Sequence, residues 1–217
     1  MSELPVLYSF RRCPYAMRAR MALAASGIEV ELREIILRDK PAHMLALSAK
    51  GTVPVLWLAQ SQVIDESREV MAWALAQNDP FDWLARVDEP CIDAFDARFK
   101  HHLDRYKYAT RYADEVDNVL LHRAACHEML RQVEQDLTSD WLGGEHAGLT
   151  DVAILPFVRQ FRIADSAWFD NELGLPRVHA WLHRFLVWPV FVAVMDKYAL
   201  WQAETTGVRF RPKIEDR

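Results

Sequence analysis

Residues 4–16 read LPVLYSFRRCPYA, and this stretch decides the fold. Leu4 to Ser9 is a short apolar run of the kind that forms a buried strand. Pro14 then suits the first position of a helix, where its missing N–H has no partner to lose. Cys13 thereby falls at the N-cap, with backbone N–H groups and the positive end of the helix dipole aimed at its sulfur. The thiolate is the reactive form of cysteine, and an ordinary thiol of pKa ~8.5 is only about 3% ionised at pH 7. Lowering that value by ~2 units takes about 2.7 kcal/mol. A helix end supplies roughly 0.3–1 kcal/mol, and up to ~2 in favourable geometry. Other donors, or Arg11 or Arg12, must supply the remainder. Where a dithiol site would carry its second cysteine stands Ala16. Any disulfide of Cys13 must therefore form with an external thiol.

Outward from this turn the pattern alternates. The helix opened by Pro14 carries Met17, Met21 and Leu23 and stops at Gly27; Ile28 to Ile36 reads as a second strand. PAHMLALSA (41–49) has proline at its start and apolar residues at helical spacing. GTVPVLWLA (51–59) reads as a strand paired with QVIDE (62–66), and Ser67 opens a helix with Val70, Met71, Ala74 and Leu75 on one face. The order over residues 1–78 is β-α-β-α-β-β-α. Turn formers and acids mark 79–90 as a linker, and 91–217 reads as helical throughout. Ile92, Phe95, Phe99, Leu103 and Tyr106 step by three and four, as do Val116, Val119 and Leu120, then Met129, Leu130, Val133 and Leu137. A further helix runs from about Leu149 to Ile163, with Gly148 and Asp151 at its start and Pro156 inside it. Pro176 begins another, Trp188-Pro189 breaks it, and a short last helix reaches about Trp201. The tail from Gly207 reads as an irregular surface segment.

The bulk numbers narrow the function classes. With 217 residues, 51% of them hydrophobic and 26% charged, the chain can bury the cores of two small domains. A net charge of -5 argues against a nucleic-acid or anionic-membrane binder, since both need a basic face. No apolar run approaches the ~20 residues of a membrane span, and the opening residues lack the features of a signal peptide. Cys13, Cys91 and Cys126 are odd in number with no close pair, which fits a reducing compartment. A cytoplasmic location is the expectation.

On these residues the chain resembles a known family. The turn Cys13-Pro14-Tyr15-Ala16 is similar to that of monothiol glutaredoxins and of the cysteine-type, omega-like glutathione transferases. The layout, a thioredoxin-like α/β domain followed by an all-α domain, resembles a cytosolic glutathione transferase over nearly the whole chain. Thr52-Val53-Pro54-Val55-Leu56 is similar to the family's strand entry with a cis-proline, and Asp65-Glu66-Ser67 to its acid-serine turn before the third helix. Lys40, in Asp39-Lys40-Pro41, stands where the omega-like group has a glutathione-contacting lysine.

The resemblance implies glutathione as co-substrate, and each matching residue has a physical reason to serve it. A cis Val53–Pro54 bond would turn the Val53 backbone outward to pair with an extended peptide. Ser67 at a helix start offers N–H and hydroxyl groups to a carboxylate, Glu66 can take the adjoining ammonium, and Lys40 the second carboxylate. The family's electrophile pocket would draw on Phe10, Arg11, Phe99, His102 and Tyr106. The implied activity is thiol transfer: Cys13 attacks a glutathionyl mixed disulfide, of a small molecule or a protein, or reduces dehydroascorbate. Conjugation, with Tyr8 or Ser9 stabilising the glutathione thiolate, is one alternative. A non-catalytic role, like that of the stringent-starvation proteins, is another. A homodimer is the family expectation. No metal is expected: His179 and His183 lie one turn apart with no third ligand evident, and the His101-His102 pair reads as solvated or lining a cleft. Cys91 and Cys126 read as packing residues.

Overall fold

A computed structural model describes residues 4–58, 62–115 and 118–214. Val116, counted above in a helical stripe, and Ala59, at the end of a predicted strand, lie outside the described residues. The chain divides into two compact units: Met1–Phe81 with Val187–Arg217, and Asp82–Leu186.

In the first unit β1 (Val6–Ser9), α1 (Pro14–Ala25), β2 (Val30–Glu34), α2 (Ala42–Leu47), β3 (Val55–Trp57), β4 (Val63–Ile64) and α3 (Ser67–Gln77) follow the predicted order. Strand β1 pairs in parallel with β2 and antiparallel with β3, which pairs antiparallel with β4. Leu7 stands opposite Leu32 and Leu56, and Leu56 opposite Ile64. Paired residues share a sheet face, so these four make one buried apolar row. Helix α1 ends in a Schellman turn. Gly27 takes φ +69°, and the N–H groups of Gly27 and Ile28 return to Ala24 O (3.1 Å) and Leu23 O (3.0 Å).

Two expectations fail at the far end of the chain. The last helix, α10 (Pro189–Ala193), stops well short of Trp201, and the segment after it runs back along the sheet. Trp201 donates its N–H to Glu34 O at 2.8 Å. The tail is then not irregular: Val208–Phe210 forms β5, antiparallel to the outer edge of β2, with Val30 opposite Phe210. Residues 187–214 accordingly belong with the α/β unit, not with the helical one. Three residues are too few to show a strand period, and their pairing comes from backbone hydrogen bonds rather than from pattern. Gly207 permits the approach, since a Cβ there would stand 2.5 Å from Leu32 O.

The second unit is helical. It contains α4 (Glu89–Ala94), α5 (Lys100–Lys107), α6 (Val119–Asp136), α7 (Leu149–Ala164), α8 (Ser166–Glu172) and α9 (Pro176–Val187, whose last residue falls in the first unit). A π-helical turn over Phe95–Phe99 joins α4 to α5. Of the predicted stripe, Ile92, Phe95, Phe99 and Leu103 are buried, whereas Tyr106 at its end is only half-buried. On α6 the buried face is Cys126, Leu130 and Val133, whereas Leu120 is 50% exposed, against the expectation. Helix α7 is buried along most of its length. Asp151, in its first turn, is wholly enclosed and accepts from Leu142 N, Gly143 N, Gly148 N and Trp181 Nε1 at 2.8–3.0 Å. Gly148 has no side chain to complete a capping box, so Asp151 makes only its own half. Among the described residues no helix is long and apolar enough to cross a membrane.

Candidate active site

Cys13 is the N-cap of α1, with φ −74° and ψ 125°. Its N–H donates to Phe10 O (2.9 Å), and its carbonyl accepts from Met17 N (2.9 Å), which holds the sulfur at the mouth of the helix. The half-buried thiol donates to Val53 O at 3.7 Å. The Val53–Pro54 peptide is cis, as expected.

The two arginines expected near this thiol make contacts of their own. Arg11 Nη1 reaches Met195 O at 3.4 Å, and the Arg12 guanidinium lies 5.3 Å from the centre of the Phe10 ring. Two turns along α1, Arg20 is almost fully enclosed. It donates to Ser9 Oγ (2.5 Å), Arg11 O (2.9 Å) and Val194 O (3.1 Å). Burial lowers its pKa to about 10, opposed by attraction to Glu34 and to Cys13. Arg20 thus stays a cation at neutral pH. Glu34, also buried, accepts from Arg11 N at 2.6 Å. Its second oxygen has no hydrogen bond among the described residues, and burial raises its pKa against the pull of Arg11 and Arg20.

The residues expected to hold a peptide gather in the same unit. Ser67 begins α3 but is 3% exposed, and its hydroxyl accepts from Arg18 Nε at 3.0 Å. A hydroxyl that accepts from a guanidinium keeps its own proton to donate, with a second buried cation behind it. Glu66 is engaged by Lys50, whose ammonium lies 2.6 Å from Glu66 Oε1 and 2.9 Å from Asp65 Oδ1. Ser48 Oγ also donates to Asp65 at 2.6 Å. Lys40 is exposed, and a Cβ on Gly51 would stand 3.3 Å from its ammonium. Sequence reasoning missed Arg18, Arg20 and Lys50. The signal for the first two was present, since MRARMALAA sets two arginines among the apolar residues of α1.

The residues assigned to an electrophile pocket differ in character. Phe10 packs against the core that contains Tyr8 and Val53, and Arg11 is tied to Glu34 through its backbone. Phe99 is a core residue, stacked on Phe95 with ring centres 4.5 Å apart. Tyr106 packs on Phe161 and donates to Asp165 at 3.4 Å. His102 lies 2.9 Å from His122, nitrogen to nitrogen.

The remaining candidates are held elsewhere. Tyr8 is enclosed, its hydroxyl 2.6 Å from both His43 Nδ1 and Arg33 Nη1, and burial raises its pKa. Ser9 is enclosed with Arg20. Burial pushes the thiols of the partly exposed Cys91 and the enclosed Cys126 up to about 12, which favours the protonated form of both. His179 lies 3.6 Å from Asp170.

Two family profiles match the chain: the N-terminal domain of glutathione S-transferases over residues 7–82, and the C-terminal domain over residues 81–184. Glutathione S-transferase omega-2 of Homo sapiens is 26% identical over 202 residues, 88% of this chain and 80% of that protein. A probable glutathione S-transferase of Nicotiana tabacum, parA, is 26% identical over 192 residues, 81% of this chain and 82% of that one. Among solved structures, a glutathione transferase family member from Pseudomonas fluorescens Pf-5, crystallised with two glutathione bound, is 15% identical. It superposes with a TM-score of 0.73 over 89% of this chain and 92% of that one, a likeness of fold.

Proposed function

The chain belongs to the glutathione S-transferase family, and from that premise we propose that it is a thiol transferase of the cysteine type, with glutathione as co-substrate. The observation that carries this reading is the setting of Cys13. Cys13 is the N-cap residue of α1, its thiol donates to the Val53 carbonyl rather than capping the helix, and a buried guanidinium on the same helix is drawn toward its charge. The helix end alone falls short of the stabilisation a thiolate needs at neutral pH, and Arg20 supplies a further part.

In the proposed reaction the Cys13 thiolate attacks the glutathionyl sulfur of a mixed disulfide. A Cys13–glutathione disulfide forms, the original S–S bond breaks, and the substrate leaves as a thiolate that takes a proton from solvent. A second glutathione, as thiolate, attacks the glutathionyl sulfur of the adduct. Oxidised glutathione departs and the Cys13 thiolate returns. With Ala16 in place of a second cysteine, no internal thiol competes for the adduct.

Val53 offers its backbone to the peptide, and Ser67, supported by Arg18, takes the γ-glutamyl carboxylate. Lys50 modifies the earlier assignment for Glu66: an arriving ammonium must share the Asp65–Glu66 pair with the lysine already on it. Lys40 remains the candidate for the glycyl carboxylate, and a homodimer is part of the reading. Conjugation gains no support from Tyr8 or Ser9, since both hydroxyls are enclosed and engaged. Reduction of a glutathione mixed disulfide by wild type and by Cys13→Ala tests the proposal. Turnover should fall by at least roughly a hundredfold in the variant. Equal turnover by the two proteins, or conjugation unaffected by the variant in a wild type inert toward disulfides, overturns it.

A further inference from the structure

Outside the thiol site, one cluster of side chains has the composition and spacing of a metal centre. His101 and His102 occupy consecutive positions on α5, and His122 lies in the first turn of α6. One ring nitrogen from each falls within 4.8 Å of the other two. His102 Nδ1 and His122 Nδ1 are 2.9 Å apart, and the ring of His101 stands nearly perpendicular to that of His102 with centres 5.0 Å apart. Zinc takes imidazole nitrogens at about 2.0–2.1 Å in tetrahedral geometry, which sets ligand nitrogens roughly 3.3 Å from one another. The cluster brackets that spacing. Small ring rotations would bring the three nitrogens onto one ion, and His101, being exposed, is unconstrained enough to make the largest of them.

We infer that His101, His102 and His122 form a binding site for a divalent transition metal of the zinc class, with its fourth position open to solvent. Three imidazoles favour zinc, cobalt, nickel or copper over magnesium or calcium, which prefer oxygen. Arg98 and Arg105 lie close enough to His102 to oppose a dication. Arg105 is paired with the Glu115 carboxylate, which offsets part of that repulsion. A metal held here would tie α5 to α6 within the helical unit, independently of Cys13 chemistry.

The test is titration of the metal-free, full-length protein with zinc chloride by calorimetry. A parallel titration with cobalt(II) follows the absorption bands that report tetrahedral nitrogen ligation. One equivalent should bind per chain, and saturating zinc should raise Tm by roughly 5–10 °C. His122→Gln and His101→Gln should each weaken binding at least tenfold, while Cys13→Ala and His179→Gln should bind as wild type does. Absence of binding to wild type overturns the inference. So does undiminished affinity in the His101→Gln/His122→Gln double variant, which places the metal elsewhere, or loss of binding in Cys13→Ala, which places it on the thiolate.

Discussion

At the scale of single residues, the chain carries three thiols in unlike settings. Cys91 and Cys126 are kept protonated by burial, whereas Cys13 has a helix terminus, the Val53 carbonyl and the charge of Arg20 around it. A nearby opposite charge favours the ionised form of a thiol. Arg20→Met should therefore raise the pKa of Cys13, measured from the pH dependence of iodoacetamide alkylation. In wild type at neutral pH the label should appear on Cys13 and be absent from the other two cysteines by peptide mass mapping. An unchanged alkylation profile in Arg20→Met would remove this arginine from the account. The cysteine at the helix start, its proline and the absent second thiol were all readable in residues 13–16. Arg20 was not, because a residue two turns away reaches the site only after the helix has packed.

At the scale of elements, periodicity served well where one face of a helix is buried over several turns. The stripe from Ile92 to Leu103 packs inward as its spacing predicts. Periodicity failed at ends: the first turn of α6 exposes Leu120, and α8 is too short to display a period. Helix α7 depends on a polar device instead. Asp151 satisfies three backbone N–H groups and the Trp181 indole from within the core. Asp151→Ala would orphan all four donors, and each buried orphan costs about 1–3 kcal/mol. A loss of at least roughly 3 kcal/mol in urea-unfolding free energy is expected, with Asp151→Asn milder because its amide oxygen still accepts. A loss within the ordinary surface range of about 0.5 kcal/mol would contradict this role.

At the scale of the whole molecule, the buried Glu34 couples stability to pH. Its folded pKa is raised above the unfolded value of ~4.3. Between the two values the native state holds more protons than the unfolded one, so this contribution falls as pH rises through that window and then levels. Relative to Glu34→Gln, wild type should lose unfolding free energy from about pH 4.3 upward, and a flat difference would mean the carboxyl is ordinary. Taken by itself, the sequence determined the α/β order of the first unit, the helical character of the second, the cysteine turn and the cis-proline strand entry. These follow from local patterns: burial periods, proline at a helix start, spacing within a few residues. Only the tertiary structure decided that the tail returns as β5, that Arg18 and Arg20 stand behind Ser67 and Cys13, that Lys50 occupies Glu66, and that His122 joins His101 and His102. Each of these joins residues distant along the chain, and such contacts leave no period in a sequence because chain closure and packing, not local preference, bring them together.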